Sequence, residues 1–395
     1  MKKKLVVLLA LLSAAMLVTG CGDEEGEVSK KPEIGTLNPI PMNPSEEISS
    51  SSAEQSGEET GSAEESAPAS QEPEVIPEGM VRSELTGEWI REEIKDQRPI
   101  AVMVDNESIA LDHYGVNSAD VVYEIMNSTA NGRITRLMCI VKDYEKIEQF
   151  GSIRSVRPTN FMLAAEYNAI LVHDGGPFYI NDYVKKDYSN NLSGGFARFS
   201  NGKKQEYTEY VTYEDYKNPT TGKSYQGLKK RLEATKFSKT YNQYYPGEHF
   251  NFDYNGVTLD AEENASVIEL PFPHNKSKLY YNGDKKEYEY YEYGKAHIDP
   301  LDNNEITSFK NVIIQKCTFC QLDQNGYLIY NCIGEGEGFF CTEGRAIPIT
   351  WFKGSESGLT VFKDKQTGEE ITLNVGKTYI TLVPDDNWNE MKIHN

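Results

Sequence analysis

The chain has 395 residues and a formal net charge of −21, with six cysteines and 26% charged residues. An acidic balance of this size gives no footing for a phosphate backbone or a polyanionic surface, so nucleic acid is excluded as the expected partner. The length left after the polar leader described next exceeds what one core usually serves, which predicts two domains.

Lys2, Lys3 and Lys4 precede an apolar run from Leu5 to Val18, and Thr19-Gly20-Cys21 follows. A basic start, a short apolar stretch and small residues before a cut form a secretory signal, and the run is too short to span a bilayer as a permanent helix. Val18-Thr19-Gly20-Cys21 resembles a lipobox, so residues 1–20 are expected to be removed and Cys21 to carry the lipid. Each acyl methylene buried in a bilayer contributes about 0.8 kcal/mol, so a multiply acylated Cys21 would hold the protein on the extracytoplasmic face of the cell membrane. Residues 21–84 are expected to be a disordered acidic Ser/Glu/Pro tether. Residues 22–80 alone carry fifteen acids and two lysines, and such a segment cannot bury enough apolar surface to fold.

The rest is expected to be of α+β class, with an N-terminal α/β domain at 85–252 and a mainly antiparallel β domain at 253–395. "RPIAVMVDN" (98–106), "ADVVYEIM" (119–126) and "RITRLMCIVKD" (133–143) have strand patterns. "GSIRSVR" (151–157) reads as a further strand running into Pro158, a favourable first helical residue. "NAILVHDGGP" (168–177) returns as a strand. Strand, helix and strand at this spacing predict a βαβ unit and a parallel or mixed sheet. Beyond about residue 245, Asn-Gly turns at Asn255, Asn282 and Asn325 predict hairpins.

Asp105 and Asn106, Arg154 and Arg157, and His173 and Asp174 stand at predicted strand ends, where open α/β sheets place ligands. Two guanidinium groups three residues apart suit phosphate or carboxylate, and the helix N-terminus after them adds backbone donors. The alternative is structural pairing with Asp105, Glu124 or Asp174. Asp105, Glu124 and His173 are the catalytic candidates: His173 as acid or base, and Asp105 with Glu124 as a carboxylate pair for glycoside chemistry. Among the cysteines, Cys317-Thr-Phe-Cys320 suggests a zinc knuckle. Strand parity, however, turns Cys317 and Cys332 to one face and Cys320 to the other, so no metal is expected and Cys317–Cys332 is the candidate disulfide. "EYEYYEYGKAH" (287–297) reads as a tyrosine strand covering its own sheet, with a sugar-stacking face as the alternative. "GEGEGFF" (334–340) reads as a bend or bulge.

Taken together, "RPIAVMVDN", "ADVVYEI", "GRITRLMCIV", "GSIRSVRPTNFMLAAEYNAILVHDGG", "KAHIDPLDNNEITSFKNVIIQ" and "ITWFK" resemble the YerB-like lipoproteins of Gram-positive bacteria. That resemblance implies two domains behind a lipoprotein signal and a tether, and it adds Arg136 to the ligand-binding candidates. "NSTANGRITR" stands where it leads one to expect Glu-Gly-Gly, and Asp174 where a small residue is expected. The order of Asp, Arg and Gly-Gly is also similar to the LytR-CpsA-Psr phosphotransferases, which handle a polyprenyl pyrophosphate. The expected function is a lipid-anchored protein binding an anionic cell-envelope ligand, such as a wall fragment or polyprenyl phosphate, through Asp105, Asn106, Arg136, Arg154, Arg157, His173 and Asp174. The alternative is an envelope enzyme, either a phosphotransferase on a polyprenyl-linked polymer or a carboxylate-dependent wall glycosidase. No cofactor is expected.

Overall fold

Three apolar runs of the N-terminal half make the centre of the molecule. In the computed structural model, which describes residues 76–261 and 263–395, they form β1 (Ile100–Asp105), β2 (Val121–Met126) and β3 (Thr135–Val141), each buried along its whole length. Strands without polar alternation need cover on both faces. α1 (Pro158–Glu166) supplies one cover. Its first turn is closed by Asn160, whose Oδ1 accepts the Arg157 N–H at 2.8 Å, the reciprocal contact of a capping box. β4 (Ile170–His173) then runs parallel to β1, and β5 (Asn191–Ser193) parallel to β4.

The C-terminal half contributes β6 (Glu263–Asn264), β7 (Val267–Glu269), β8 (Lys278–Asn282), β9 (Glu287–Glu292), β10 (Asn311–Cys317), β11 (Gly334–Thr342), β12 (Arg345–Lys353), β13 (Thr360–Asp364) and β14 (Thr378–Pro384). The main sheet has eleven strands in the order β6-β12-β11-β10-β14-β2-β3-β1-β4-β5, with β13 on β12. β14 is the join, parallel to β10 on one side and to β2 on the other. Strands from both sides of residue 252 thus share this mixed sheet, and every described residue lies within one compact unit. A second, antiparallel sheet runs Lys295–Ala296, β9, β8, β7, Lys392–His394. The molecule is mostly β, and its helices are short.

Several local expectations change. The signal, Cys21 and the tether as far as residue 75 lie outside the described residues. The fold already includes Met80–Arg82, which pairs with Trp89–Arg91, and no helix among the described residues is long and apolar enough to cross a membrane. Of 151–157, only Gly151 belongs to a strand, Phe150–Gly151. β3 precedes α1 and runs antiparallel to β1, so β3, α1 and β4 do not make a parallel βαβ unit. "GEGEGFF" lies within β11 because its glycines admit neighbours: a Cβ on Gly336 would meet the Trp351 indole at 2.5 Å, and one on Gly338 the Ile314 carbonyl at 2.1 Å. Tyr288 and Tyr290 are buried in β9, which is the covering role. Cys317 and Cys332 are buried but are free thiols, as are Cys139, Cys320 and Cys341, so the candidate disulfide is not formed.

Strand alternation gives the sheet two chemically different faces. Asp105 sits opposite Arg136, and Tyr123 opposite Met138. These four face α1, where Tyr123 and Tyr167 share a hydroxyl contact of 2.8 Å and Asn160 meets Met138. Asn106, Glu124 and Thr135 point the other way, toward the second sheet, where Glu124 accepts from Ser277 at 2.7 Å and from Tyr290 at 3.0 Å. Two histidines, His113 and His297, are buried near this second face. Burial pushes the first down to about 3 and holds the second well below its ordinary value, so both are neutral.

Candidate functional site

On the helical face, Asp105 ends β1 with its side chain fully buried and holds two guanidinium groups. Arg136 Nη1 lies 2.7 Å from Oδ1, and Arg154 Nε lies 2.8 Å from Oδ2. Arg154 also reaches Glu206 at 3.2 Å and lies over the Tyr207 ring. Arg157 completes the group. It is buried, yet among the described residues no carboxylate pairs with it. Its Nη1 donates to the Val156 carbonyl at 3.0 Å and to Ser155 Oγ at 3.4 Å, and its Nε to the Asn127 carbonyl at 3.3 Å. The guanidinium carbon stands 4.4 Å from the centre of the Tyr327 ring.

All three arginines line one cavity of about 610 Å³, walled also by Asn127, Ser128, Tyr207 and Tyr327. The one carboxylate among the described residues of the wall, Glu107, is engaged by His274 Nε2 at 3.1 Å. Burial lowers the Arg136 and Arg157 guanidinium pKa values, Arg157 to about 10, and the neighbouring Arg136 charge lowers Arg157 further. Both stay cationic at neutral pH. Arg136 Nε, buried, has no hydrogen-bond partner. A concave site with several fixed guanidinium donors suits an oxyanion.

"GSIRSVR" is what builds this arrangement. The segment wedges between the carboxyl ends of β1 and β4: Arg154 N–H donates to the Met103 carbonyl at 3.0 Å, while the Arg154 carbonyl accepts from Asp174 N–H at 3.0 Å. The wedge brings Arg154 to Asp105 and moves the end of β4 away from the cavity. His173 and Asp174 are accordingly absent from its wall. His173 Nδ1 contacts the Gly175 carbonyl at 2.8 Å and Nε2 contacts Asn191 Oδ1 at 3.3 Å, so both nitrogens are engaged structurally. Asp174 turns toward Arg198 at 3.6 Å.

Asn106 and Glu124 also leave the expected site, because alternation sends them through the sheet. Asn106 Nδ2 donates to Thr135 Oγ1 at 2.8 Å. Glu124 is buried among hydroxyls, accepting from Thr135, Ser277, Tyr290 and Tyr379. Asp105 is held between arginines and Glu124 is closed off on the opposite face, so the two cannot flank a glycosidic bond.

Reading the sequence missed the C-terminal contribution. The hairpin of Phe319–Gln321 and Leu328–Tyr330 lays its turn against the 127–130 loop. Thr129 N–H donates to the Gly326 carbonyl at 3.0 Å, and Ser128 bridges to Tyr327. Gly326 is required there, since a Cβ would lie 2.5 Å from Ala130 N and its φ is +78°. The Asn325-Gly326 signal gave the turn but not its docking place.

Residues 85–229 match the N-terminal domain, and residues 268–380 the C-terminal domain, of the family described as "Protein of unknown function (DUF3048)". The chain is 26% identical over 312 residues to "Putative lipoprotein YerB" of Bacillus subtilis (strain 168), a match covering 77% of this chain and 87% of that protein. The crystal structure of YerB from Bacillus subtilis is similar with a TM-score of 0.65 at 21% identity, covering 80% of this chain and 100% of that one.

Proposed function

This chain belongs to the YerB-like DUF3048 family, and from that premise we propose that its arginine cavity binds an anionic ligand of the cell envelope, with the protein anchored by lipid on Cys21 at the extracytoplasmic face of the membrane. The anchor is supported by the Val18-Thr19-Gly20-Cys21 stretch and by the lipoprotein name of the B. subtilis relative. The observation that carries the binding reading is Arg157: a buried guanidinium on a cavity wall, stacked on Tyr327, with no carboxylate pairing with it among the described residues. Arg136 and Arg154 share the buried carboxylate of Asp105, and Arg154 also reaches Glu206, so a phosphate or carboxylate entering the cavity meets three guanidinium groups, of which Arg157 has no carboxylate partner among the described residues. Each charge-assisted hydrogen bond contributes about 1.5–3 kcal/mol, and two or three of them suffice for a specific small-anion site.

The test is binding of polyprenyl phosphates and of anionic wall fragments to wild type and to Arg154→Ala/Arg157→Ala, with circular dichroism to confirm the fold. Binding by wild type that is lost in the folded variant supports the reading. Equal affinity in both rejects this cavity as the site.

A further inference from the structure

On the opposite face, between the main sheet and the antiparallel sheet, His113, Glu292 and His297 converge. His113 Nδ1 lies 2.8 Å from His297 Nε2, and Glu292 Oε1 lies 3.8 Å from the same nitrogen. One ligand atom from each residue falls within 4.8 Å of the others, and all three residues are at most 2% exposed.

The neighbours fix the tautomers. Asn117 Nδ2 donates to Asp302 at 2.9 Å, which leaves Asn117 Oδ1 to accept the Thr307 hydroxyl at 2.6 Å. With its hydrogen used there, Thr307 Oγ1 accepts from His297 Nδ1 at 2.8 Å. His297 Nε2 therefore presents a lone pair toward His113, whose Nδ1–H donates to it. Two buried atoms stay unmatched: among the described residues, Glu292 Oε1 and His113 Nε2 have no hydrogen-bond partner. Such orphans are rare in folded proteins because each carries an uncompensated desolvation cost.

Two carboxyl groups add to the cluster, and burial raises the pKa values of both. Glu124 and Glu292 are both buried on this face. The groups that touch them are hydroxyls, amides and imidazole, and among the described residues no lysine or arginine bonds either one. The backbone is also built to hold the cluster. Asp299 accepts from Gly115 N–H at 3.0 Å and Asn117 N–H at 2.9 Å, clamping the loop that carries His113 against the strand turn that carries His297.

We propose that His113, His297 and Glu292 bind one divalent transition-metal ion, with zinc the best match to two imidazoles and a carboxylate. Zinc–nitrogen bonds of about 2.0–2.1 Å at a tetrahedral angle set the two nitrogens about 3.3 Å apart, roughly half an ångström wider than the present contact. The ion replaces the hydrogen shared by the imidazoles. That hydrogen moves to His113 Nε2. Two of the ligands keep an outer partner of the kind that metal sites generally require: Thr307 on His297, and Asn275 on Glu292 Oε2 at 3.4 Å. Enclosure makes it a site filled as the protein folds, with a structural role.

The test uses full-length protein produced with zinc and, separately, with cobalt. Metal is measured by plasma mass spectrometry, and the cobalt form is examined by visible spectroscopy. The site predicts about one ion per chain that survives brief dialysis against chelator, a tetrahedral cobalt spectrum, and at least tenfold less metal in Glu292→Gln and His297→Ala. Wild type without metal in both preparations overturns the proposal, as does unchanged metal in either folded variant. Glu292→Gln keeps the shape and the Asn275 contact, so it serves if His297→Ala does not fold, and the wild-type stoichiometry and spectrum decide if neither does.

Discussion

On the helical face of the central sheet, one buried carboxylate, Asp105, is shared by Arg136 and Arg154 beside a third arginine, and the group opens onto a cavity. On the face toward the second sheet, Glu124 and Glu292 meet hydroxyls, amides and neutral imidazoles in a closed layer. The first cluster gathers arginines beside an opening, and the second gathers carboxyl groups, whose pKa values burial raises, in a closed layer. The groups that each cluster presents indicate the guest it would take: an exchangeable anion beside the guanidinium groups on one side, an enclosed cation beside the imidazoles and carboxyl on the other. What separates them is one residue of register. Asp105 and Asn106, like Arg136 and Thr135, are chain neighbours that point to opposite faces.

The largest expected effect comes from removing the shared carboxylate. Asp105→Asn leaves Arg136 without its carboxylate and Arg154 with Glu206 alone, and breaking a buried ion pair this way costs about 3–5 kcal/mol. Inorganic phosphate should restore part of the loss, raising the melting temperature of the variant more than that of wild type. An equal shift in both would mean that the anion does not enter beside these arginines.

A third carboxylate, away from both clusters, provides a reference. Asp120 accepts the Lys142 N–H at 2.6 Å, and burial pushes its pKa up to about 7. The folded state then holds a proton that the unfolded state has released. The associated stability is present below about pH 4 and is lost as pH rises through 7. The shift corresponds to at most about 4 kcal/mol, less what water screens at this half-buried residue. Asp120→Asn should flatten the stability profile between pH 4 and 8, and parallel curves would contradict the assignment.

Glu124→Gln should cost about 1–3 kcal/mol of stability, since an amide cannot accept all the hydroxyl donors gathered there, while anion affinity stays unchanged. A parallel loss of affinity would break the separation of the faces. Arg157→Lys keeps the charge but gives up the planar fork and the stacking on Tyr327, and should weaken anion binding about tenfold, or roughly 1.4 kcal/mol, with little change in melting temperature.

Much of this was legible in the sequence. The apolar runs of β1, β2 and β3 and the proline start of α1 were read from pattern, and the six quoted blocks marked the family to which the chain belongs. Asp105, Arg136, Arg154 and Arg157 do meet, because strand ends were a sound guide to where polar groups gather. His173 and Asp174 do not join them, because the backbone pairing of Arg154 with Met103 and Asp174 is a non-local hydrogen bond that no periodicity announces. Glu124 was set beside Asp105 from its strand, whereas the register that sends it to the other face depends on which residue of β3 stands opposite. The insertion of β14 between β10 and β2 was equally hidden, since a parallel pairing across more than 250 residues leaves no local mark. His113 and His297, 184 positions apart, were missed for the same reason, although His297 lay inside the quoted "KAHIDPLD".

The segregation of the two faces is tested most directly by calorimetric titration of inorganic pyrophosphate into wild type, Arg157→Lys and Glu124→Gln side by side. The account predicts about tenfold weaker binding for Arg157→Lys and wild-type affinity for Glu124→Gln. Equal affinity in all three proteins, or a loss confined to Glu124→Gln, would contradict it.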